Sequence, residues 1–198
     1  MKTRGETVHI GDVEIIAHHK GKLISVSYQQ RRRDGKQQRR LREVYDNGNS
    51  AVILPYDPER QTVLLARQLR LPIFLQDGIE RTVEACAGKL DGEDAEQCIV
   101  REMLEELGYR ITSVQRLFEF YASPANIMEK ISFFTCVYSP ADKVSDGGGL
   151  KEEGEDIEVI EVPLAEAAAM IANGEIIDAK TVILIQYLTS RVRAGACG

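Results

Sequence analysis

Residues 88–109 read GKLDGEDAEQCIVREMLEELGY. Within them, Asp94 to Leu107 carries the strongest helical patterning of the chain, and Gly108 follows where a left-handed cap closes such a helix. At about 100° per residue, Glu102, Glu105 and Glu106 fall within an arc of roughly 100°, while Val100, Met103, Leu104 and Leu107 take the opposite side and Ile99 the boundary. One face is expected to pack and the other to present acids to solvent. Clustered anions repel one another and weaken an isolated helix, so the arrangement makes physical sense when divalent cations neutralise it. Hard oxygen donors select Mg²⁺, with Mn²⁺ as the alternative. Glu102 and Glu106 stand at i and i+4 on that face, and the turn at Ala87-Gly88 can bring backbone oxygen close to them, because Gly88 has no side chain in the way. Arg101 is expected to pair with Glu93 and hold the preceding loop against the helix.

Outward from this segment, the pattern on both sides is mostly strand. Glu80 to Ala87 reads as a strand before it, and strands at about Ile111 to Tyr121, Ile131 to Tyr138 and Ile157 to Val162 follow. Pro163 opens a helix to about Ala172, and a last helix runs from about Ala179 to Arg191. Further upstream, Ala51 to Leu54 and Thr62 to Leu65 flank the turn Tyr56-Asp57-Pro58-Glu59 and read as an opening hairpin. Before Asp46-Asn47-Gly48-Asn49 the character changes: Val8 to Ile16 and Leu23 to Tyr28 alternate apolar and polar, and Arg33-Asp34-Gly35 is a hairpin turn. The basic run Arg31 to Arg42 reads as a solvated part of that hairpin. The expectation is an α+β protein: a three-stranded antiparallel sheet over residues 1–45, then an α/β/α sandwich over 46–198.

Composition excludes several classes. With 198 residues, 43% hydrophobic and 28% charged, the chain has enough apolar surface for a core and is neither fibrous nor disordered. Its net charge of -6 argues against a protein held to nucleic acid by bulk electrostatics. No apolar h-region follows the N-terminal Met-Lys-Thr-Arg-Gly-Glu, and no run of about 18 apolar residues could span a membrane, so the expected location is the cytoplasm. Cys86, Cys98, Cys136 and Cys197 lack C-x-x-C spacing and read as buried or idle thiols. His9, His18 and His19 lie far in sequence from the acidic helix and are expected to take no part in catalysis.

The segment Gly88 to Tyr109 resembles the nudix signature, G-x5-E-x7-R-E-U-x-E-E-x-G-U with U aliphatic, which marks hydrolases of nucleoside diphosphates linked to another group. Glu93 takes the place of the first glutamate although the loop after Gly88 is one residue short, and Tyr109 replaces the aliphatic last position. Further likeness covers about Arg42 to Leu188, in Arg42 to Asn49, Ala66 to Arg70, Glu84 to Gly88, Gly147-Gly148-Gly149 with Glu155 to Val159, and Gly174 to Thr181. It is similar to the ADP-ribose pyrophosphatase branch, in particular to its members that act on GDP-mannose. Pro124, in its spacing from Gly108, matches the family's hydrolases of ADP-ribose-like nucleotide sugars, although Ala125 stands where the branch more often has glycine.

The resemblance implies a nudix α/β/α sandwich preceded by a sheet that pairs with a second subunit, hence a homodimer. It implies Mg²⁺ held by the Ala87 carbonyl, Glu102, Glu106 and, from a mobile loop, Glu155. Glu155, Glu105 and Glu106 are the expected catalytic carboxylates, with Glu105 a third ligand or a partner of the ligands. The stretch Ser145 to Glu155 combines glycines with acids and reads either as a surface connection or as a lid. As a lid it would deliver Glu155, ahead of Glu152 or Glu153, to deprotonate the attacking water. Carried over from the branch, Arg70 and Lys180 would lie near the diphosphate or sugar, Glu129 and Glu43 would accept from sugar hydroxyls or base amines, and Arg42 and Glu43 would act across the dimer. The expected reaction is Mg²⁺-dependent hydrolysis of GDP-mannose to GMP and mannose 1-phosphate. The alternatives are hydrolysis of ADP-ribose and a non-catalytic domain that senses a nucleotide sugar; a calcium buffer is excluded because no D-x-[DN]-x-[DN]-G loop is present.

Overall fold

A computed structural model describes residues 7–195, so the N-terminal hexapeptide and Cys197 discussed above lie outside the described residues. The chain groups into two units, Met1–Asn49 with Tyr121–Lys130, and Ser50–Phe120 with Ile131–Gly198.

The first unit is an antiparallel sheet of β1 (Val8–His18), β2 (Lys22–Arg31) and β3 (Gln37–Asp46), with β2 central. Ile24 and Val26 of β2 are buried, whereas Val13, Ile15 and Ile16 of β1 and Leu41 of β3 are exposed. The segment 121–130 joins this unit through Asn126 and Met128, which bracket Tyr45 by backbone hydrogen bonds of 2.8 and 2.9 Å. Nothing local in its sequence signals that attachment.

The second unit runs β4 (Ser50–Asp57), β5 (Thr62–Gln68), α1 (Leu71–Asp77), β6 (Thr82–Glu84), β7 (Cys86–Lys89), α2 (Ala95–Leu107), β8 (Gln115–Phe120), β9 (Ile131–Val137), β10 (Glu158–Pro163), α3 (Leu164–Ala172) and α4 (Ala179–Arg193). Its sheet has the order β10-β5-β4-β9-β8, with β6 on β5 and β7 on β4. Only β4 and β9 pair in parallel among the described strands. Because side chains alternate across a strand, Ala51 and Ile53 of β4 pack with Ile99, Met103 and Leu107 of α2 on one face, while Val52 and Leu54 pack with Leu164, Met170, Leu184 and Ile185 of α3 and α4 on the other. Covered on both faces, β4 is buried throughout, which explains why its sequence is a continuous apolar run. The result is the expected α/β/α sandwich.

Three expectations change. The strand expected over 80–87 is two short strands, β6 and β7, that pair with different neighbours and divide at Ala85. Helix α1 was not anticipated, and its composition explains why: none of its residues is buried, so it carries no amphipathic stripe. In α2 the packed stripe is Ala95, Cys98, Ile99, Glu102, Met103, Glu106 and Leu107, while Leu104 is 37% exposed. The acids at 102 and 106 therefore turn inward, and the apolar side read from the sequence is rotated toward them.

Candidate active site

Helix α2 is fixed at both ends by local chemistry. The Asp94 side chain caps the first turn by accepting from the Glu96 N–H at 2.9 Å, and Gly108, at φ 76°, closes the last turn. Between these caps, Glu102 and Glu106 face β7 and are 9% and 2% exposed. The Ala87 N–H donates to Glu106 at 3.3 Å. A Cβ on Gly88 would come within 2.0 Å of Oε1 of Glu102, so only glycine lets strand and carboxylate approach this closely.

Burial pushes the Glu106 carboxyl up to about 8, against hydrogen bonds from Cys86 and Ala87, with the charges of Glu102 and Glu155 adding to the rise. Burial likewise pushes Glu102 up to about 7 against the neighbouring Arg101, with Glu105 and Glu155 contributing. Two carboxylates that resist ionisation for want of solvent and because of neighbouring carboxylate charge are a donor set that a hard divalent cation satisfies. Among the described residues, no three Asp, Glu, His or Cys side chains converge tightly enough to hold an ion by themselves. A backbone donor such as the Ala87 carbonyl fits that arithmetic.

Arg101 organises the other acids. It reaches Glu105 at 2.6 Å, Glu102 at 3.0 Å and Glu93 at 3.4 Å. Glu93 arrives there in spite of the short loop because Asp91 and Gly92 both take positive φ, 44° and 93°, and the Glu93 N–H closes the turn on the Leu90 carbonyl at 2.6 Å. Glu105 is thus engaged by a guanidinium.

The glycine-rich stretch caps the end of α2. Gly148 and Gly149 donate to the carbonyls of Glu106 and Glu105 at 2.9 and 3.0 Å, and Val144 and Ser145 donate to the Gly108 carbonyl at 2.8 and 3.2 Å. The glycines of the stretch that reads as a surface connection or as a lid are anchor points in this structure. The anchored loop carries Glu155, which accepts from the Leu150 N–H at 2.8 Å and whose charge is felt by both Glu102 and Glu106. Glu152 and Glu153 sit in a single 3₁₀ turn and are exposed.

Both cations expected at the substrate have carboxylate partners. Arg70 forms a fork with Glu84 at 2.7 and 3.0 Å, and Lys180 lies 2.6 Å from Asp178. Arg42, Glu43 and Glu129 belong to the first unit; the Arg42 guanidinium donates to the Leu41 carbonyl at 3.1 Å, and Glu43 pairs in register with Ser25. Sequence reasoning did not single out Glu84, Cys86, Asp178 or Thr181 as functional. Asp178 before an apolar helical run was the one readable signal, that of an N-cap. A separate cavity of about 370 Å³ is lined by Tyr56, Arg110, Ile111, Tyr187, Leu188 and Arg191 among others and includes none of the candidate residues.

The chain is similar to known proteins in sequence and in fold. A family model described as the NUDIX domain matches residues 46–184. A curated relative from Citrobacter koseri, named GDP-mannose pyrophosphatase, is 46% identical over 169 residues, covering 85% of this chain and 87% of its own. One of the same name from Klebsiella pneumoniae is 41% identical over 192 residues and 95% of each chain. In fold, the chain is similar to a solved crystal structure of an ADP compounds hydrolase, with a TM-score of 0.73 at 17% identity, over 99% of this chain and 100% of that one.

Proposed function

This chain belongs to the nudix family, and from that premise we propose that it hydrolyses GDP-mannose to GMP and mannose 1-phosphate with the help of Mg²⁺. It is a pyrophosphatase acting on nucleoside diphosphate sugars. The observation that carries the reading is the pair of inward-facing carboxylates, Glu102 and Glu106, pressed against the backbone of β7. GDP-mannose is favoured over other nucleotide sugars by the likeness to curated relatives of that name over most of the chain.

In this reading Glu102, Glu106 and the Ala87 carbonyl hold the cation, with Glu155 joining them from its anchored loop. A bound divalent cation supplies charge neutralisation at the pyrophosphate oxygens and makes water more acidic. Glu155 takes the proton of the attacking water, and no covalent intermediate on the protein is needed. Arg101 keeps Glu105 beside the ligands without spending it as one. Arg70 and Lys180 offer positive charge to the diphosphate, their acid partners fixing where that charge stands. Arg42 and Glu43, acting across the dimer, and Glu129 serve recognition of sugar or base.

The exposed apolar residues Val13, Ile15, Ile16 and Leu41 of the small sheet support a homodimer, since an exposed sheet of this kind needs cover. Sedimentation as a single chain would contradict that. The net charge of -6 supports the absence of a nucleic-acid partner, and no described helix is long and apolar enough to cross a membrane; we place the activity in the cytoplasm.

Initial rates with GDP-mannose and ADP-ribose at equal concentration, each with Mg²⁺, test the substrate. GDP-mannose is expected to be cleaved faster, because a site that pairs with guanine's N2 amine and O6 is left with unmatched groups by adenine. A clear preference for ADP-ribose would overturn the choice of substrate and leave the chemistry standing.

A further inference from the structure

Between β6 and β7 the chain changes partners, from β5 up to Glu84 to β4 from Cys86 onward. Ala85, at the change, lies in neither ladder, and its buried N–H donates to the Thr181 hydroxyl at 2.7 Å. Thr181 sits in the first turn of α4 and is 0% exposed. Its hydroxyl in turn donates to Oδ2 of Asp178, the N-cap of α4, at 2.7 Å, and its N–H meets the same oxygen at 3.0 Å. The Lys180 ammonium takes the other oxygen of Asp178 at 2.6 Å. Although burial works the other way, Lys180 and Thr181 hold the Asp178 carboxyl below its ordinary range, so it stays an acceptor.

Three residues around this change of partner are thus held by side chains from elsewhere in the chain. Glu84 is held by Arg70, Ala85 by Thr181, and Ala87 by Glu106 of α2. We propose that Thr181, oriented by Asp178, is a positioning residue for the cation site: by pinning the Ala85 peptide it fixes the direction of the Ala87 carbonyl relative to Glu102 and Glu106. This rests on the reading above that these three groups hold the cation. Ala87 lies in the β4–β7 ladder opposite Val52, whereas the Ala85 peptide, two residues before it, has no ladder partner and is held by the Thr181 hydroxyl instead. Mg²⁺ demands near-ideal octahedral geometry, so a small rotation of the Ala87 carbonyl is enough to weaken its binding. The first turn of α4 therefore serves the site as well as packing on the sheet.

Thr181→Val keeps the side-chain shape and removes the hydroxyl. Its dissociation constant for Mn²⁺, read from loss of the free-ion EPR signal, is expected to rise about 10-fold or more, with a matching rise in the Mg²⁺ needed for half-maximal activity. Thr181→Ser, which restores the hydroxyl, is expected to return both close to wild type, and amide exchange at Ala85 to be fast only in Thr181→Val. A folded Thr181→Val protein with wild-type Mn²⁺ affinity overturns the proposal. Should that variant not fold, Thr181→Ala, which removes the hydroxyl without bulk, is read by the same criteria. Wild-type protein that binds Mn²⁺ but cleaves no nucleotide sugar counts against the proposed substrate, and the Mn²⁺ comparison still decides the role of Thr181. Wild-type protein that binds no Mn²⁺ overturns both.

Discussion

Glu106→Gln is expected to lower kcat on the nucleotide sugar by about 10³-fold, because partners of metal ligands already carry 10- to 100-fold and a ligand itself carries more. The same change is expected to stabilise the metal-free protein at alkaline pH. The Glu106 carboxyl is raised from 4.5 to about 8 by burial, opposed by Cys86 and Ala87 and increased by Glu102 and Glu155. A group raised in the fold contributes stability that is fully present below its unfolded value and is lost as pH rises through the folded one. Metal-free wild type should therefore melt lower by roughly 5–10 °C at about pH 9 than at about pH 5, and Glu106→Gln should remove much of that slope. Mg²⁺ should restore wild type at the upper end, because the cation favours the ionised carboxylates, and should do little for the variant. Thermal melts at several pH values with and without Mg²⁺, beside steady-state rates, check both halves. A variant with wild-type kcat would remove Glu106 from the chemistry.

Gly147→Ala is expected to cost about 3 kcal/mol, lowering the melting temperature by roughly 6–12 °C. Gly147 has φ +68°, which disfavours any side chain, and an added Cβ would lie 2.3 Å from the Glu106 carbonyl oxygen and 2.7 Å from the Leu107 carbonyl carbon. Both neighbours are backbone of α2 and cannot swing away. Gly154 provides the control: its φ is +78°, yet nothing lies within 4 Å of its added Cβ, so Gly154→Ala should pay only the conformational cost of about 1 kcal/mol. Because Gly148 and Gly149, which follow it directly, anchor the loop carrying Glu155 to α2, Gly147→Ala should also reduce kcat in the protein that remains folded. Equal losses for the two variants, read by urea unfolding, would show that the close approach to α2 carries no weight.

The parts of the fold that were legible in the sequence are those whose determinants are local. Helix α2 was readable from its period and from Gly108, and the small sheet from its alternation and from Asp34-Gly35. What was not legible depends on partners distant in sequence. The inward turn of Glu102 and Glu106 follows from where β7 lies, and an isolated helix gives no reason to bury acids. The split at Ala85 reflects β4 and β5 competing for one strand, which a single alternating stretch does not encode. The stretch holding the glycines at 147–149 reads as a surface connection or a lid, whereas positive φ and contact with the α2 carbonyls make these glycines a cap. Thr181 bears on the site through the Ala85 N–H, a partner 96 residues away in sequence that no local pattern reveals.

Phosphorus NMR of GDP-mannose incubated with the protein and Mg²⁺, in parallel with the same mixture containing excess EDTA, tests the central claim most directly. Inward-facing carboxylates that work by holding a cation should convert the diphosphate signals into the two phosphomonoester signals of GMP and mannose 1-phosphate, and EDTA should stop the conversion. Conversion that continues unchanged in EDTA, or diphosphate that stays intact with Mg²⁺ present, would contradict it.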